Sequence, residues 1–359
     1  MSDGARDIGR DGPFRPAWWL PGRNLQTVWG RLARDRRLVP FRREILETPD
    51  GDALVLDHAD HPQTGPQVPR LLVLHGLEGS SYSVYVQGIL VEAARRGLRG
   101  TVLNFRSCAR DPRDLSRMLP NRRPRLYHSG ETEDLDFVVR TLADREPGAP
   151  MVAVGVSLGG NVLLKWLGER GSSARVAAAA ALSTPYDLAA SARHLESRLG
   201  RLYVGGFLAT LRRKALDASR RFPEAASRID VARTHRARSF WEFDDAATAP
   251  LHGFAGADDY YRRSSSLGFL VSIATPTLCV SSADDPFLPA GILERARAAA
   301  SPHVDFRATE RGGHIGFVAG SAPWRPDYWA ERAAVAWLTN HIPEKRNEPG
   351  SVENAPPAP

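Results

Sequence analysis

The chain has 359 residues, of which 42% are hydrophobic and 25% charged, and this suits one large domain with an insertion or two smaller globular domains. Its formal net charge is +7, carried by scattered arginines, so we expect a solvated basic surface rather than a nucleic-acid partner. That charge also permits a weak peripheral contact with anionic membrane surfaces. The N-terminus lacks the apolar core of a signal peptide and no apolar run could span a bilayer, so the expected location is cytoplasmic.

The sequence indicates neither a metal site nor a cofactor. Cys108 and Cys279 lie outside any CxxC or Cys/His cluster, and their apolar surroundings favour small core residues over a disulfide. No G-x-G-x-x-G follows a predicted strand, which argues against a nicotinamide-binding protein, and the phosphate-loop pattern G-x-x-x-x-G-K-[ST] is absent. We therefore expect chemistry that depends on side chains alone.

Predicted strands and helices alternate along most of the chain. Asp50-Gly51 lies between the first two strands and predicts a hairpin turn. The strands are predicted at 43–48, 53–58, 70–74, 100–105, 151–156, 176–182, 275–281 and 304–309, and the helices at 84–96, 132–144, 158–169 and 328–341. Such alternation indicates βαβ units and a parallel sheet.

Residues 186–270 interrupt this alternation. They are helical in pattern, rich in arginine and aromatic residues, and contain no clear strand, so we interpret them as a cap inserted at the C-terminal edge of the sheet. Residues 1–13 are expected to be a flexible N-terminus and residues 346–359 a disordered tail. The main domain is then predicted at 14–345.

The strongest motif is Gly155-Val156-Ser157-Leu158-Gly159, which follows an apolar strand and opens a helix. G-x-S-x-G in this context is typical of a nucleophile elbow, in which the serine lies on a strained turn and its neighbours two residues away must lack side chains. The alternative is an ordinary glycine-rich turn between a strand and a helix. We predict Ser157 as nucleophile, with the Leu158 amide at the helix N-terminus stabilising negative charge on the tetrahedral intermediate.

A serine nucleophile needs a base, and the base needs an acid that orients it. His314 follows the last predicted strand of the sheet, between glycines at 312, 313 and 316, and is the predicted base. The predicted acid is Asp285, in the loop after the preceding strand. Asp284 is the nearest competitor, and Asp187 is a third candidate whose Pro-Tyr-Asp-Leu setting is better explained as a helix start.

A second charge-stabilising donor is predicted in His75-Gly76-Leu77, directly after an early strand. In α/β hydrolases a His-Gly-x turn at this place supplies the second amide of the oxyanion hole. By that match the Leu77 amide is the donor, and His75 is a structural residue that bonds within the loop.

Taken together, these motifs resemble the YheT-like α/β hydrolases, which are related to the ABHD1/2/3 and EMB8-like hydrolases. The family usually has a histidine where this chain has Asn24, and a glycine where it has Ser107. The resemblance spans most of residues 14–341 and rests on eight short segments. These segments are Asn24-Leu25-Gln26-Thr27, His75–Ser80, Asn104-Phe105-Arg106, Tyr127-His128-Ser129-Gly130, the serine elbow, Phe240–Tyr260, Asp284–Phe287 and Gly313–Gly316.

The resemblance implies an α/β-hydrolase fold: a mostly parallel central sheet flanked by helices, with a helical cap insertion. It also implies a serine esterase acting on short-chain, medium-chain or lipid-type acyl esters. Tyr127, His128 and Arg106 are interpreted either as lining the site or as supporting its loops. Two alternatives stay open: an acyltransferase that uses an alcohol and the same residues, and a noncatalytic binding protein on a hydrolase scaffold.

Overall fold

The computed structural model describes residues 12–60 and 65–343. The predicted disordered tail and all but residues 12 and 13 of the predicted flexible N-terminus lie outside these ranges. None of the helices in the described ranges is long and apolar enough to cross a membrane.

An eight-stranded sheet forms the centre of the molecule, in the order β1-β2-β4-β3-β5-β6-β7-β8. Strand β2 pairs antiparallel with β1 and β4, and every other pairing in the sheet is parallel. The predicted, mostly parallel sheet is thus confirmed. Its strands are β1 Arg42–Glu47, β2 Ala53–Ala59, β3 Arg70–Leu74, β4 Arg99–Asn104, β5 Met151–Val156, β6 Ala178–Leu182, β7 Thr277–Ser282 and β8 Val304–Thr309.

Helices cover both faces of this sheet because its central strands are apolar on both sides. All residues of β3 are buried, with Leu72 and Leu74 in one apolar core and Leu71 and Val73 in the other. The helices outside the insertion are α1 Arg23–Ala33, α2 Val84–Arg95, α3 Glu133–Arg145, α4 Leu158–Arg170, α12 Ile292–Ala299 and α13 Trp329–Thr339.

The chain between β6 and β7 is helical, and no residue of this described segment forms a strand. It has apolar clusters of its own, one around Leu208 and Phe243 and another around Tyr260 and Tyr261. A π-helical turn, Asp244–Thr248, interrupts it. Its helices are α5 Leu188–His194, α6 Arg198–Arg221, α7 Pro223–Arg228, α8 Val231–Arg236, α9 Phe240–Phe243, α10 Ala249–Leu251 and α11 Ala257–Ser264.

Three elements outside the insertion are missing from the sequence-based prediction. Two are helices α1 and α12, and the third is the hairpin of β9 Val318–Ala322 with β10 Arg325–Tyr328, which directly precedes α13. Helix α1 begins after Gly22 and helix α12 after Gly291, and neither glycine offers a side-chain cap, so the usual N-terminal signal is absent. The hairpin strands are too short to produce a clear alternating pattern.

Candidate active site

Ser157 lies between β5 and α4 with φ 54° and ψ −118°, a conformation that side-chain-bearing residues rarely adopt. The turn is closed so tightly that a Cβ atom on Gly155 would lie 2.4 Å from the Gly159 carbonyl oxygen. A Cβ atom on Gly159 would lie 2.5 Å from the His75 carbonyl oxygen. The two glycines of the motif are therefore required by backbone contacts on both sides of the serine.

The structure brings the predicted nucleophile, base and acid into one hydrogen-bonded chain. Ser157 Oγ lies 3.0 Å from His314 Nε2, and His314 Nδ1 lies 2.8 Å from Asp285 Oδ2. The Phe287 amide donates to Asp285 Oδ1 at 2.8 Å, which holds the carboxylate in place. Asp285 is 2% exposed, so this carboxylate is well placed to fix Nδ1 as the protonated nitrogen and leave Nε2 free to accept the serine proton.

The competing aspartates have other partners. Asp284 accepts a hydrogen bond from the Gly313 amide at 2.9 Å, so it supports the loop that carries the histidine. Asp187 caps α5 by accepting from the Ala190 amide at 3.0 Å, as its sequence setting predicts. Of the three aspartates, Asp285 is the one that contacts the imidazole of His314.

Helix α1 holds the loop of His314, a role that sequence analysis did not identify. The His314 amide donates to Thr27 Oγ1 at 2.9 Å. Gln26 accepts from the Val318 amide and donates to its carbonyl, at 2.7 and 3.0 Å. On the other side of the imidazole, the Phe287 ring stacks with its centroid 4.1 Å away. The sequence signal for these α1 contacts was the Asn24-Leu25-Gln26-Thr27 segment of the family resemblance. A shared segment does not indicate which residues elsewhere in the chain it contacts.

The predicted amide donors belong to two residues that lie beside the serine at the cavity. Leu77 and Leu158 both line the cavity that contains Ser157, and neither amide donates a hydrogen bond to another described residue. His75 is fully buried, with Nδ1 2.8 Å from the Gly76 carbonyl oxygen and Nε2 accepting from the Phe105 amide at 3.1 Å. Burial lowers the pKa of His75 to about 4. His75 therefore holds the loop as a neutral residue, as expected.

Glu78 follows Leu77 with φ 55°, and its side chain is anchored from two directions. Tyr127 accepts from the Glu78 amide and donates to its carboxylate, both at 2.8 Å. Lys214 of α6 donates to the same carboxylate oxygen at 2.6 Å. The Glu78 and Lys214 side chains are 6% and 8% exposed. A buried ion pair thus joins the inserted helices to the loop that presents the Leu77 amide.

The remaining residues singled out by the resemblance divide between the two interpretations. Arg106 is buried and paired with Asp52 and Asp134 at 2.9 and 2.7 Å, so it supports loops away from the cavity. His128 lines the cavity and accepts from the Gly130 amide at 3.1 Å. Burial lowers the pKa of His128 to about 3, so it is neutral at physiological pH.

A cavity of about 550 Å³ adjoins Ser157 and His314, within the size range of ligand pockets. Much of its wall comes from the inserted helices, which contribute apolar side chains together with the polar side chains of Asp244 and Thr248. Burial raises the pKa of Asp244 to about 6. The apolar lining residues of the insertion and the following loop are Leu188, Ala192, Leu195, Phe207, Leu211, Phe240, Phe243 and Phe287.

The two departures from the family pattern have local contacts. Asn24 accepts a hydrogen bond from the Tyr203 hydroxyl at 3.2 Å, which links α1 to α6. Ser107 occupies a turn at φ 59°, a conformation that glycine adopts without strain, and this explains why the family usually has glycine there. Cys108 beside it and Cys279 are free and buried, as expected.

The sheet and the serine elbow define an α/β hydrolase. The model of the α/β-hydrolase fold family matches residues 69–321. Among solved structures, the 2,6-dihydroxy-pseudo-oxynicotine hydrolase is similar in fold, with a TM-score of 0.53 at 14% sequence identity, covering 89% of this chain and 72% of that one.

Closer relatives narrow the class. The chain is 37% identical to YheT of Escherichia coli (strain K12), whose name gives it as a candidate esterase, over 95% of this chain and 97% of that protein. It is 32% identical to the phospholipase ABHD3 of Bos taurus, over 88% of this chain and 75% of that protein. The chain therefore belongs to the YheT-like α/β hydrolases, and its enzyme class is ester hydrolase.

Proposed function

We propose that this enzyme hydrolyses carboxylic esters through an acyl-enzyme intermediate, with Ser157 as nucleophile, His314 as base and Asp285 as the acid that orients the histidine. The observation that carries the proposal is the unbroken chain of contacts from Ser157 Oγ through the imidazole to a buried carboxylate. Each member has the partner its role requires, at hydrogen-bonding distance.

In the first half of the reaction, Ser157 Oγ attacks the ester carbonyl carbon while its proton passes to His314 Nε2. The negative charge that develops on the carbonyl oxygen is stabilised by the Leu77 and Leu158 amides. As the tetrahedral intermediate collapses, the imidazolium gives the proton to the departing alcohol. Water then repeats the same steps on the acyl-enzyme and releases the carboxylic acid.

The test of this mechanism is Ser157→Ala, with Ser227→Ala on the exposed surface as the matched control. We expect Ser157→Ala to lose about 10⁴-fold or more of the turnover of p-nitrophenyl esters and all labelling by a fluorophosphonate probe. The control should label and turn over normally. Near-normal turnover by folded Ser157→Ala protein would contradict the mechanism, and a wild-type enzyme that does not label would favour a noncatalytic binding protein.

The cavity supports acyl chains of medium or lipid-type length as the substrate class. The apolar side chains that line it would bury methylene groups, each worth about 0.8 kcal/mol or roughly fourfold in kcat/KM. We therefore expect kcat/KM to rise from acetyl towards medium-chain p-nitrophenyl esters. Phe207→Ser at the cavity wall should flatten this rise, whereas Val231→Ser at an exposed position should leave it unchanged.

An acyltransferase would use the same three residues but transfer the acyl group to an alcohol. The comparison is direct: the ratio of new ester to free acid is measured while a short alcohol is added. Formation of free acid as the main product at low alcohol supports hydrolysis. If the new ester forms preferentially at low alcohol concentration, the function is acyl transfer and not hydrolysis.

A further inference from the structure

Exposed apolar side chains are concentrated around helix α1. Eight large apolar side chains are exposed in the described parts of the chain, and four of them lie on α1, on the segment before it or on the hairpin that this segment contacts. We call these four residues the α1 face: Trp18, Leu25, Leu32 and Trp324, which are 79%, 49%, 79% and 81% exposed. Single exposed apolar residues are ordinary, but a cluster on one face indicates a binding surface.

Contacts between the intervening residues show that these positions form one surface. Leu25, Trp29 and Leu32 recur at helical spacing along one side of α1. The Trp29 ring lies 4.9 Å from that of Trp19, centroid to centroid. The neighbouring Trp18 donates its indole N–H to the Ser321 carbonyl at 3.0 Å, which holds its ring beside the β9–β10 turn that carries Trp324.

The same surface is strongly basic. From residue 12 to residue 41 the sequence contains six arginines and a single acidic residue, Asp35. Arg15, Arg23, Arg31 and Arg36 are exposed, and none of them forms an ion pair with a described acidic residue. Exposed tryptophan and leucine among unpaired arginines is the composition of a protein surface that lies on an anionic membrane.

The position of α1 connects this face to the site. Thr27, Val28 and Arg31 of the helix line the cavity, and Thr27 bonds the loop of His314. Because an α-helix with its side chains is about 10 Å across, a membrane against the α1 face would lie about one helix width from the cavity wall. Such an arrangement would let an acyl lipid pass from the bilayer to the cavity without crossing bulk water.

We propose that the α1 face docks the enzyme on an anionic lipid surface, with the tryptophan and leucine side chains inserted among the headgroups and the arginines beside lipid phosphates. This binding does not depend on the triad, so it can be measured with or without catalysis. The favoured occupant is a membrane rather than a protein because the charge is predominantly basic and two of the three most exposed apolar side chains are tryptophans, which favour the membrane interface.

The experiment is co-sedimentation of the full chain with vesicles of phosphatidylcholine alone or mixed with phosphatidylglycerol. We expect binding to the anionic vesicles that weakens as salt rises. Arg23→Gln should weaken it about fivefold, since one basic residue near an anionic surface contributes about 1 kcal/mol. Leu32→Ser and Trp324→Ser should weaken it several-fold, and brominated lipids should quench less tryptophan fluorescence in Trp324→Ser than in the parent.

Matched controls are Val271→Ser and Ile45→Ser, which remove exposed apolar side chains elsewhere on the molecule. These variants should bind as the parent does, and all variants should turn over soluble short-chain esters normally. Failure of the parent to bind anionic vesicles, or equal binding by face and control variants, would overturn the proposal. An enzyme that binds vesicles but does not cleave esters would contradict the proposed function alone.

Discussion

Breaking the buried ion pair between Glu78 and Lys214 should affect both stability and catalysis. The two charges are 2.6 Å apart and nearly inaccessible to water. Burial by itself would raise the pKa of the Glu78 carboxyl, but Lys214 and the Tyr127 hydroxyl outweigh it and hold that pKa below its usual value. Lys214→Met keeps most of the side-chain volume while leaving the carboxylate without its cation.

Removal of one partner from a buried pair typically costs about 3 to 5 kcal/mol. We take about 3 kcal/mol for Lys214→Met because the Tyr127 hydroxyl remains as a donor to the carboxylate. In a chain of this size that loss corresponds to a fall in Tm of about 4 °C. The exposed pair of Arg122 with Glu47 has the same 2.6 Å separation, and Arg122→Met should cost less than about 1 kcal/mol.

The contribution of the Glu78–Lys214 pair to the free energy of unfolding should depend on pH. Because the folded-state pKa of Glu78 lies below the ordinary glutamate value of 4.5, the pair stabilises the fold above that pH and loses this contribution as the pH falls through the folded-state pKa. In Lys214→Met the carboxyl can be protonated more easily, so the difference in stability from the parent should shrink in acid. The double variant Glu78→Gln/Lys214→Met should lose less than the two single losses added together.

Urea unfolding of the parent, the single variants and the double variant measures these free energies. Turnover of a soluble ester measures the second effect: Glu78 adjoins Leu77, so kcat should fall more than KM changes, by at most the 10² to 10³-fold typical of a lost oxyanion donor. A Lys214→Met protein that loses under 1 kcal/mol and keeps its kcat would refute the reasoning.

Three further outcomes are expected. Asp285→Asn should lose most of the turnover and Asp284→Asn little, and the reverse ranking in kcat would identify the other aspartate as the acid. Gly159→Ala should prevent normal folding or activity, seen by circular dichroism and ester assay, because its Cβ atom would meet the His75 carbonyl at 2.5 Å. For Asp244, a folded-state pKa of about 6 against 3.8 means that stability falls as pH rises from about 4 to 6; Asp244→Asn should remove this decline from urea-unfolding curves, and an unchanged slope would contradict it.

The residues whose roles depend on local backbone geometry were predictable from the sequence. Gly155 and Gly159 flank Ser157 because the turn has no room for side chains at these positions. This steric requirement concerns only five consecutive residues, so the sequence motif is enough to recognise it. The buried strands are recognisable for a similar reason: a strand covered on both faces is an uninterrupted apolar run. Asp187 as a helix cap follows the same local logic.

Contacts between distant segments were not predictable in this way. Nothing in the sequence around Thr27 indicates that its hydroxyl accepts from an amide 287 residues further along the chain. The sequence favoured Asp285 over Asp284 by its loop pattern, but the contacts that separate them, Asp285 with the imidazole and Asp284 with the Gly313 amide, come from the tertiary structure. Lysine side chains are mostly exposed in folded proteins, yet Lys214 is buried against Glu78.

The sequence by itself determined the succession of the eight central strands along the chain, the strained serine turn and the type of chemistry, because these follow from periodicity and from steric limits over a few residues. Only the tertiary structure decided how α1 holds the loop of His314, how α6 reaches Glu78, and which apolar side chains around α1 stay exposed. The physical reason is distance along the chain. Side chains separated by a hundred residues or more meet only after the sheet has closed, and their pairing leaves no periodic trace in either segment.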